Sequence, residues 1–282
     1  MYSFLSGTYS SVPESRETPN AIFYTEYEYT SIRYFAKMKN LILIRHGQSL
    51  GQTSSKQGLS RKDPSLHDCF LSNKGVNEAY QLRNHPTLQQ YDFDLVCTSP
   101  LSRAISTCLL SLGHLVEKEL EESGNVSTPF IVHPYISEAG KGIPENQGRS
   151  ISVLKKDLKK RLSDITTSVD NIVDHFDFSM LPESWPEVER YDKQVAKEDH
   201  LESFLRWILV ERPEKNIVVV CHYNIIKWIL RNRIDKVPNC LPIECILDED
   251  GLFLKSDYEH KSIKPQTSKA KSNKQHKKQN KR

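Results

Sequence analysis

In this chain of 282 residues, two arginines and two histidines could do chemistry together: Arg45, His46, Arg103 and His222. Arginine presents a planar fork of N–H donors that matches the oxygens of a phosphate group. Histidine titrates near ~6.5, and its neutral form can attack phosphorus. A quartet of this kind suits an anionic, tetrahedral substrate if the fold brings its members together. Taken singly, each has a plainer reading. A lone histidine at a strand end is more often structural, and a lone arginine near a helix start is more often solvated. Their joint placement decides.

The elements that must position them are short apolar runs. Leu41-Ile42-Leu43-Ile44 leads into Arg45-His46-Gly47, Leu95-Val96-Cys97-Thr98 into Ser99-Pro100, and Ile217-Val218-Val219-Val220-Cys221 into His222. Continuous apolar runs of this length read as strands buried on both faces, the habit of parallel sheets. Helical patterns follow them. Ser99 is suited to cap a helix with Pro100 at its first position, which places Arg103 in the first turn. Further helices are expected over Asn73–Arg83, Ser150–Leu162, Leu201–Leu209 and Asn224–Leu230. Asp174–Tyr191, rich in Pro, Asp and Glu, reads as a loop or cap insertion. The expected fold is α/β, a doubly wound and mostly parallel sheet flanked by helices. In open sheets of this kind ligands bind beyond the carboxyl ends of the strands, where all four residues fall.

Four segments then carry a family resemblance. Ile44-Arg45-His46-Gly47-Gln48-Ser49 resembles the RHG signature of the histidine phosphatase (phosphoglycerate mutase-like) superfamily. Leu71-Ser72-Asn73-Lys74-Gly75 resembles that family's helix opening. Thr98-Ser99-Pro100-Leu101-Ser102-Arg103-Ala104, with Thr107, resembles its arginine segment, and Val219-Val220-Cys221-His222 the strand of its second histidine. The four occur in the family's order, between about Asn40 and Leu254. The resemblance implies that His46 forms a phosphohistidine, and that Arg45, Arg103 and His222 build the phosphate pocket. It also implies a carboxyl proton donor. Glu138, in Ile136-Ser137-Glu138, is the candidate and Glu145 the competitor. Two departures stand out. Where the family often has an asparagine after RHG, this chain has Gly51-Gln52, with Gln52 the candidate substitute. After the second histidine, Tyr223 replaces a small residue, so its ring must turn aside or narrow the pocket.

Composition bounds the rest. From Lys261 onward there are eight lysines and Arg282 but no acidic residue, a composition that reads as disordered. Without it the chain has 30 basic and 36 acidic residues, a net charge near −6, so the formal +3 belongs to the tail. The expected layout is an N-terminal extension over 1–38, a catalytic domain over 39–258 and a basic tail over 259–282. The tail could take nucleic acid or a nuclear import receptor, or simply solubilise the chain. The six cysteines have no zinc-like spacing, and the scattered histidines give no pair on one helix face, so neither metal nor cofactor is expected. Trp185, Trp207 and Trp228 read as packing residues. No apolar stretch approaches the ~18 residues of a membrane span, and a cytoplasmic, possibly nuclear, setting is expected.

Three functions fit these residues. The first is a metal-independent phosphatase for a small phosphorylated substrate, in which water resolves the phosphohistidine. The second is a mutase that returns the phosphoryl group to a sugar acid. The third is a non-catalytic binding protein that keeps the fold and uses the basic tail.

Overall fold

A computed structural model of the protein describes residues 38–257, apart from 141, 167, 183–184 and 187–193. The expected N-terminal extension and basic tail, and part of the expected cap insertion, lie outside the described residues. One seven-stranded sheet organises the chain: β1 (Lys39–Arg45), β2 (Leu95–Thr98), β3 (Phe130–Val132), β4 (Phe176–Asp177), β5 (Asn216–Cys221), β6 (Pro242–Asp248) and β7 (Gly251–Leu254). Its order is β4-β3-β2-β5-β1-β6-β7. The first five strands in that order run parallel, and β6 and β7 add an antiparallel edge beside β1. The sheet is therefore mostly parallel, as the apolar runs predict.

The runs are apolar throughout because both faces of the sheet are covered. Ile42, Ile44, Val96, Val218 and Val220 join one core, and Leu41, Leu43, Cys97, Val219 and Cys221 join the other. On the first face lie the helices α2 (Asn73–Leu82), α3 (Ser102–Ser123), α4 (Ile151–Leu162) and α5 (Val169–Asp174). α6 (Gln194–Arg206) and α7 (Tyr223–Ile229) cover the second. α1 (Leu50–Lys56) follows the first strand after the turn at 46–49.

Three expectations need correction. α3 begins at Ser102, two residues after Pro100, with Leu101 as its N-cap and no side-chain cap from Ser99. Buried Asp68 does that work from outside the helix, accepting from the Ser102 N–H (2.9 Å) and hydroxyl (2.6 Å). α6 starts seven residues before Leu201 and passes into a π turn at Trp207–Glu211. The stretch read as a loop from Asp174 contains β4, where Phe176 and Asp177 pair with Phe130 and Ile131. Two residues are too few to show an alternating or continuous apolar pattern.

Two motif glycines are explained by backbone contact. The Ser72 N–H donates to the Gln48 carbonyl at 2.9 Å, and Ser49 and Leu71 form an isolated bridge, so the start of α2 rests on the turn after His46. A Cβ on Gly75 would lie 2.0 Å from the Gln48 carbonyl oxygen, and one on Gly47 would lie 2.5 Å from that of Gly75. Neither obstacle is a side chain that could swing away. Gly75→Ala is expected to cost about 3 kcal/mol or more, by the logic of overpacking, read as a lower urea midpoint at unchanged slope.

His133, just after β3, is enclosed by Phe204 and Trp207 at ring separations of 4.9 and 5.0 Å. Burial pushes its pKa down to about 4. The folded value lies below the ordinary one, so the unfolded chain binds more protons between the two. The stabilisation is therefore intact above pH ~6.5 and is lost as pH falls toward 4, by about 3 kcal/mol. Urea midpoints at pH 7 and 4.5 should differ less in His133→Phe than in the wild type.

Candidate active site

Register brings the site together. Ile44 and Thr98 both pair with Val220, so the strands β1, β5 and β2 end side by side. Residues that follow those ends meet across 123 (Ser99 to His222) and 176 (His46 to His222) positions of sequence. The rings of His46 and His222 lie 5.1 Å apart between centroids, tilted by 59°. The His46 N–H continues the ladder by donating to the Cys221 carbonyl at 3.0 Å.

His46 is only 4% exposed, and both its ring nitrogens have partners. Nδ1 lies 2.7 Å from the Gly47 carbonyl, which can only accept, so Nδ1 carries the proton. Nε2 is left as the lone-pair nitrogen and accepts from Arg103 Nε at 3.2 Å. Burial, then the charges of Arg103 and Arg45, hold the His46 pKa well below its ordinary value. The ring is thus neutral, with a fixed tautomer and its lone pair at Nε2. Thr107 Oγ1 supports the same turn, accepting from the Gly47 N–H at 3.0 Å.

Arg103 is 2% exposed and spread over three partners. Besides His46 it donates to the Glu145 carbonyl and, at 2.9 Å, to Asn146 Oδ1. Arg45 donates to the Val237 carbonyl at 2.8 Å and lies 5.1 Å from the Tyr223 ring centre. Burial lowers the Arg45 pKa. Tyr223 does both things expected of it: its ring is drawn aside over Arg45 and still lines the cleft. His222 Nε2 is 2.7 Å from Ser99 Oγ, so Ser99 serves the second histidine where a helix cap was expected.

A cleft of about 480 Å³ opens over Arg45, His46, Arg103 and Tyr223, with His222 buried behind His46, and is also lined by Gln52, Lys56, Arg61, Glu138 and Glu145. Both candidate carboxyls face it. Glu138 Oε1 accepts from the Ala139 N–H at 2.9 Å, and Oε2 is 3.4 Å from the Asn224 N–H. Glu145 Oε1 accepts from Arg61 through Nε at 3.0 Å and through a second guanidinium nitrogen. Gln52 completes a capping box with Ser49 at the start of α1, and its amide also meets Asn239 at 3.3 Å.

Sequence reasoning missed Asn239, Asn146, Asp68 and Arg61. Asn239 Nδ2 donates to the His46 carbonyl at 2.6 Å, holding the backbone of that turn from the far side. Asn146 orients Arg103, Asp68 fixes the turn of helix that carries it, and Arg61 engages Glu145. All four sit in turns or irregular segments with no periodic signal. Among the described residues, no three His, Cys, Asp or Glu side chains are grouped as a metal site. No helix among them is long and apolar enough to cross a membrane.

Comparison with known proteins agrees with this arrangement. Residues 41–124, which contain Arg45, His46 and Arg103, match the model of the histidine phosphatase superfamily (branch 1). A 2,3-bisphosphoglycerate-dependent phosphoglycerate mutase of Buchnera aphidicola subsp. Schizaphis graminum is 39% identical over 71 residues, which is 25% of this chain and 28% of the mutase. A Schizosaccharomyces pombe protein named as a probable phosphatase is 24% identical over 123 residues, 44% of this chain and 49% of that protein. The chain thus spans about half or less of these curated relatives. Among solved structures, the phosphoglycerate mutase of Bacillus anthracis str. Sterne is similar at 17% identity and a TM-score of 0.48, covering 79% of this chain and 94% of its own. The alpha-ribazole phosphatase of Shigella flexneri is similar at 20% identity and a TM-score of 0.45, covering 77% and 94%. Over residues 41–124, and in the order of its four site segments, the chain is similar to the histidine phosphatase superfamily.

Proposed function

We propose that the protein is a phosphatase for phosphate monoesters that works through a phosphohistidine on His46. The observation that carries this reading is the state of His46: buried, neutral, with Nδ1–H held by Gly47 and the Nε2 lone pair toward a cleft lined by arginines. In the proposed sequence Nε2 attacks phosphorus while the ester P–O bond breaks. The N–P bond takes the place of the contact with Arg103 Nε and leaves that guanidinium to the phosphoryl oxygens. Arg45, Arg103 and His222 stabilise the charge spread over those oxygens in the transition state. Glu138 gives a proton to the leaving alkoxide, then takes one from the water that cleaves the N–P bond and releases inorganic phosphate.

Two arginines supply the positive charge in this scheme, and no step in it calls on a metal. Hydrolysis of p-nitrophenyl phosphate at mildly acidic pH is therefore expected to proceed unchanged in EDTA. A large loss restored by Mg²⁺ or Zn²⁺ would point to another mechanism. The mutase reading predicts instead that 3-phosphoglycerate isomerises when 2,3-bisphosphoglycerate is added. A binding protein would release no phosphate in either assay.

A further inference from the structure

A second cavity, of about 440 Å³, adjoins the first at Glu138, which lines both. Its walls have a different chemistry. The phosphate cleft carries Arg45, Lys56, Arg61 and Arg103, whereas this cavity is lined chiefly by His133, Tyr135, Met180, Leu181, Trp185 and His200, with no lysine or arginine among the described residues.

The walls are held in place. The Trp185 indole N–H donates to the Arg149 carbonyl at 2.9 Å, and its ring lies so close to Gly148 that a Cβ there would be 2.3 Å away. The rings of Tyr135 and His200 lie 4.4 Å apart between centres, tilted by 36°. Large apolar pockets with a few polar groups at one edge are the usual form of small-molecule sites. This one has roughly three times the ~150 Å³ of a cavity that holds benzene.

We propose that this cavity takes the alcohol part of the substrate, so that the preferred substrates are phosphate monoesters of bulky, ring-bearing, apolar alcohols. The inference rests on the phosphatase reading and extends it. With the phosphoryl group among the arginines and the apolar body in the second cavity, the ester oxygen falls at Glu138, the residue common to both. A sugar or glycerol phosphate would place hydroxyl groups against Met180, Leu181 and Trp185, where most would lose their hydrogen bonds to water without replacement.

The test compares two alkyl esters with similarly basic leaving groups, ethyl phosphate and 2-(2-naphthyl)ethyl phosphate. Burying an aromatic body of ~150–250 Å² should raise kcat/KM for the naphthyl ester about a hundredfold over ethyl phosphate. Met180 sits in a turn, 38% exposed, and tolerates change. Met180→Asp should cut the ratio of the two kcat/KM values at least tenfold, and Met180→Leu should keep it. Equal turnover of both esters by the wild type, or a ratio indifferent to Met180→Asp, would overturn the inference and leave the phosphatase reading standing. Turnover of neither ester would overturn that reading and the inference with it.

Discussion

His46→Ala is expected to lower kcat by about 10⁴-fold or more on any phosphate ester and to abolish a covalent phosphoenzyme. Nothing nearby can replace it. His222 is the nearest imidazole, but its Nε2 is 2.7 Å from Ser99 Oγ and belongs to another strand end. Alanine also removes the acceptor of Arg103 Nε, so some stability is lost with the activity. His46→Asn, which keeps a polar side chain beside Arg103, separates the two effects: it should be equally inactive with a smaller change in urea midpoint. Rapid acid quench and intact-mass analysis would show a phosphoryl adduct on the wild type only. An adduct on either variant, or turnover near the wild-type rate, would sink the assignment of the nucleophile.

The second large effect separates proton transfer from binding. Glu138→Gln should slow hydrolysis of an alkyl phosphate about 10²- to 10⁴-fold, because a strongly basic alkoxide leaves poorly without a proton. The same variant should be far less impaired on p-nitrophenyl phosphate, whose phenolate leaves unaided. Glu145 lines the same cleft but is engaged by Arg61, and its backbone carbonyl accepts from Arg103. Glu145→Gln is accordingly expected to act through the position of Arg61, with similar effects on both esters. Arg103→Ala should raise KM and lower kcat together, since its guanidinium meets phosphoryl oxygens before and during transfer. If Glu138→Gln harms both esters equally and Glu145→Gln shows the leaving-group dependence, the two carboxyls exchange roles.

The centre of the sheet was legible because burial on both faces leaves a plain mark: three apolar runs, each ended abruptly by Arg45-His46, Ser99 or His222. The edges were not. β3 has three residues and β4 two, while β6 opens on Pro242, Ile243 and Glu244, which are only half-buried and break the apolar run. Within the site, the quartet of two arginines and two histidines was legible by residue type and place. Its supports were not, since Asn239, Asn146 and Asp68 act from turns whose geometry no short-range pattern encodes. Gln52 lines the cleft, as its place after the motif suggests, and its amide also serves the start of α1 and meets Asn239, which no short-range pattern announces. Trp185 was read as packing. It does pack, on Gly148, and it walls the second cavity as well.

The pairing of β1 with β5 has a consequence for how the protein comes to be active. Asn40 pairs with Asn216 and Arg45 with Cys221, so the strand that leads into His46 sits next to one that follows it by 176 positions. Closing a loop that long is entropically costly and slow, and little is recovered until most of the intervening sheet is in place. A fragment ending near residue 124 would contain Arg45, His46 and Arg103, yet lack the neighbour that aligns them. During synthesis His46 must wait for β5, so its placement beside His222 depends on assembly of the sheet's centre and not on the presence of the motif alone.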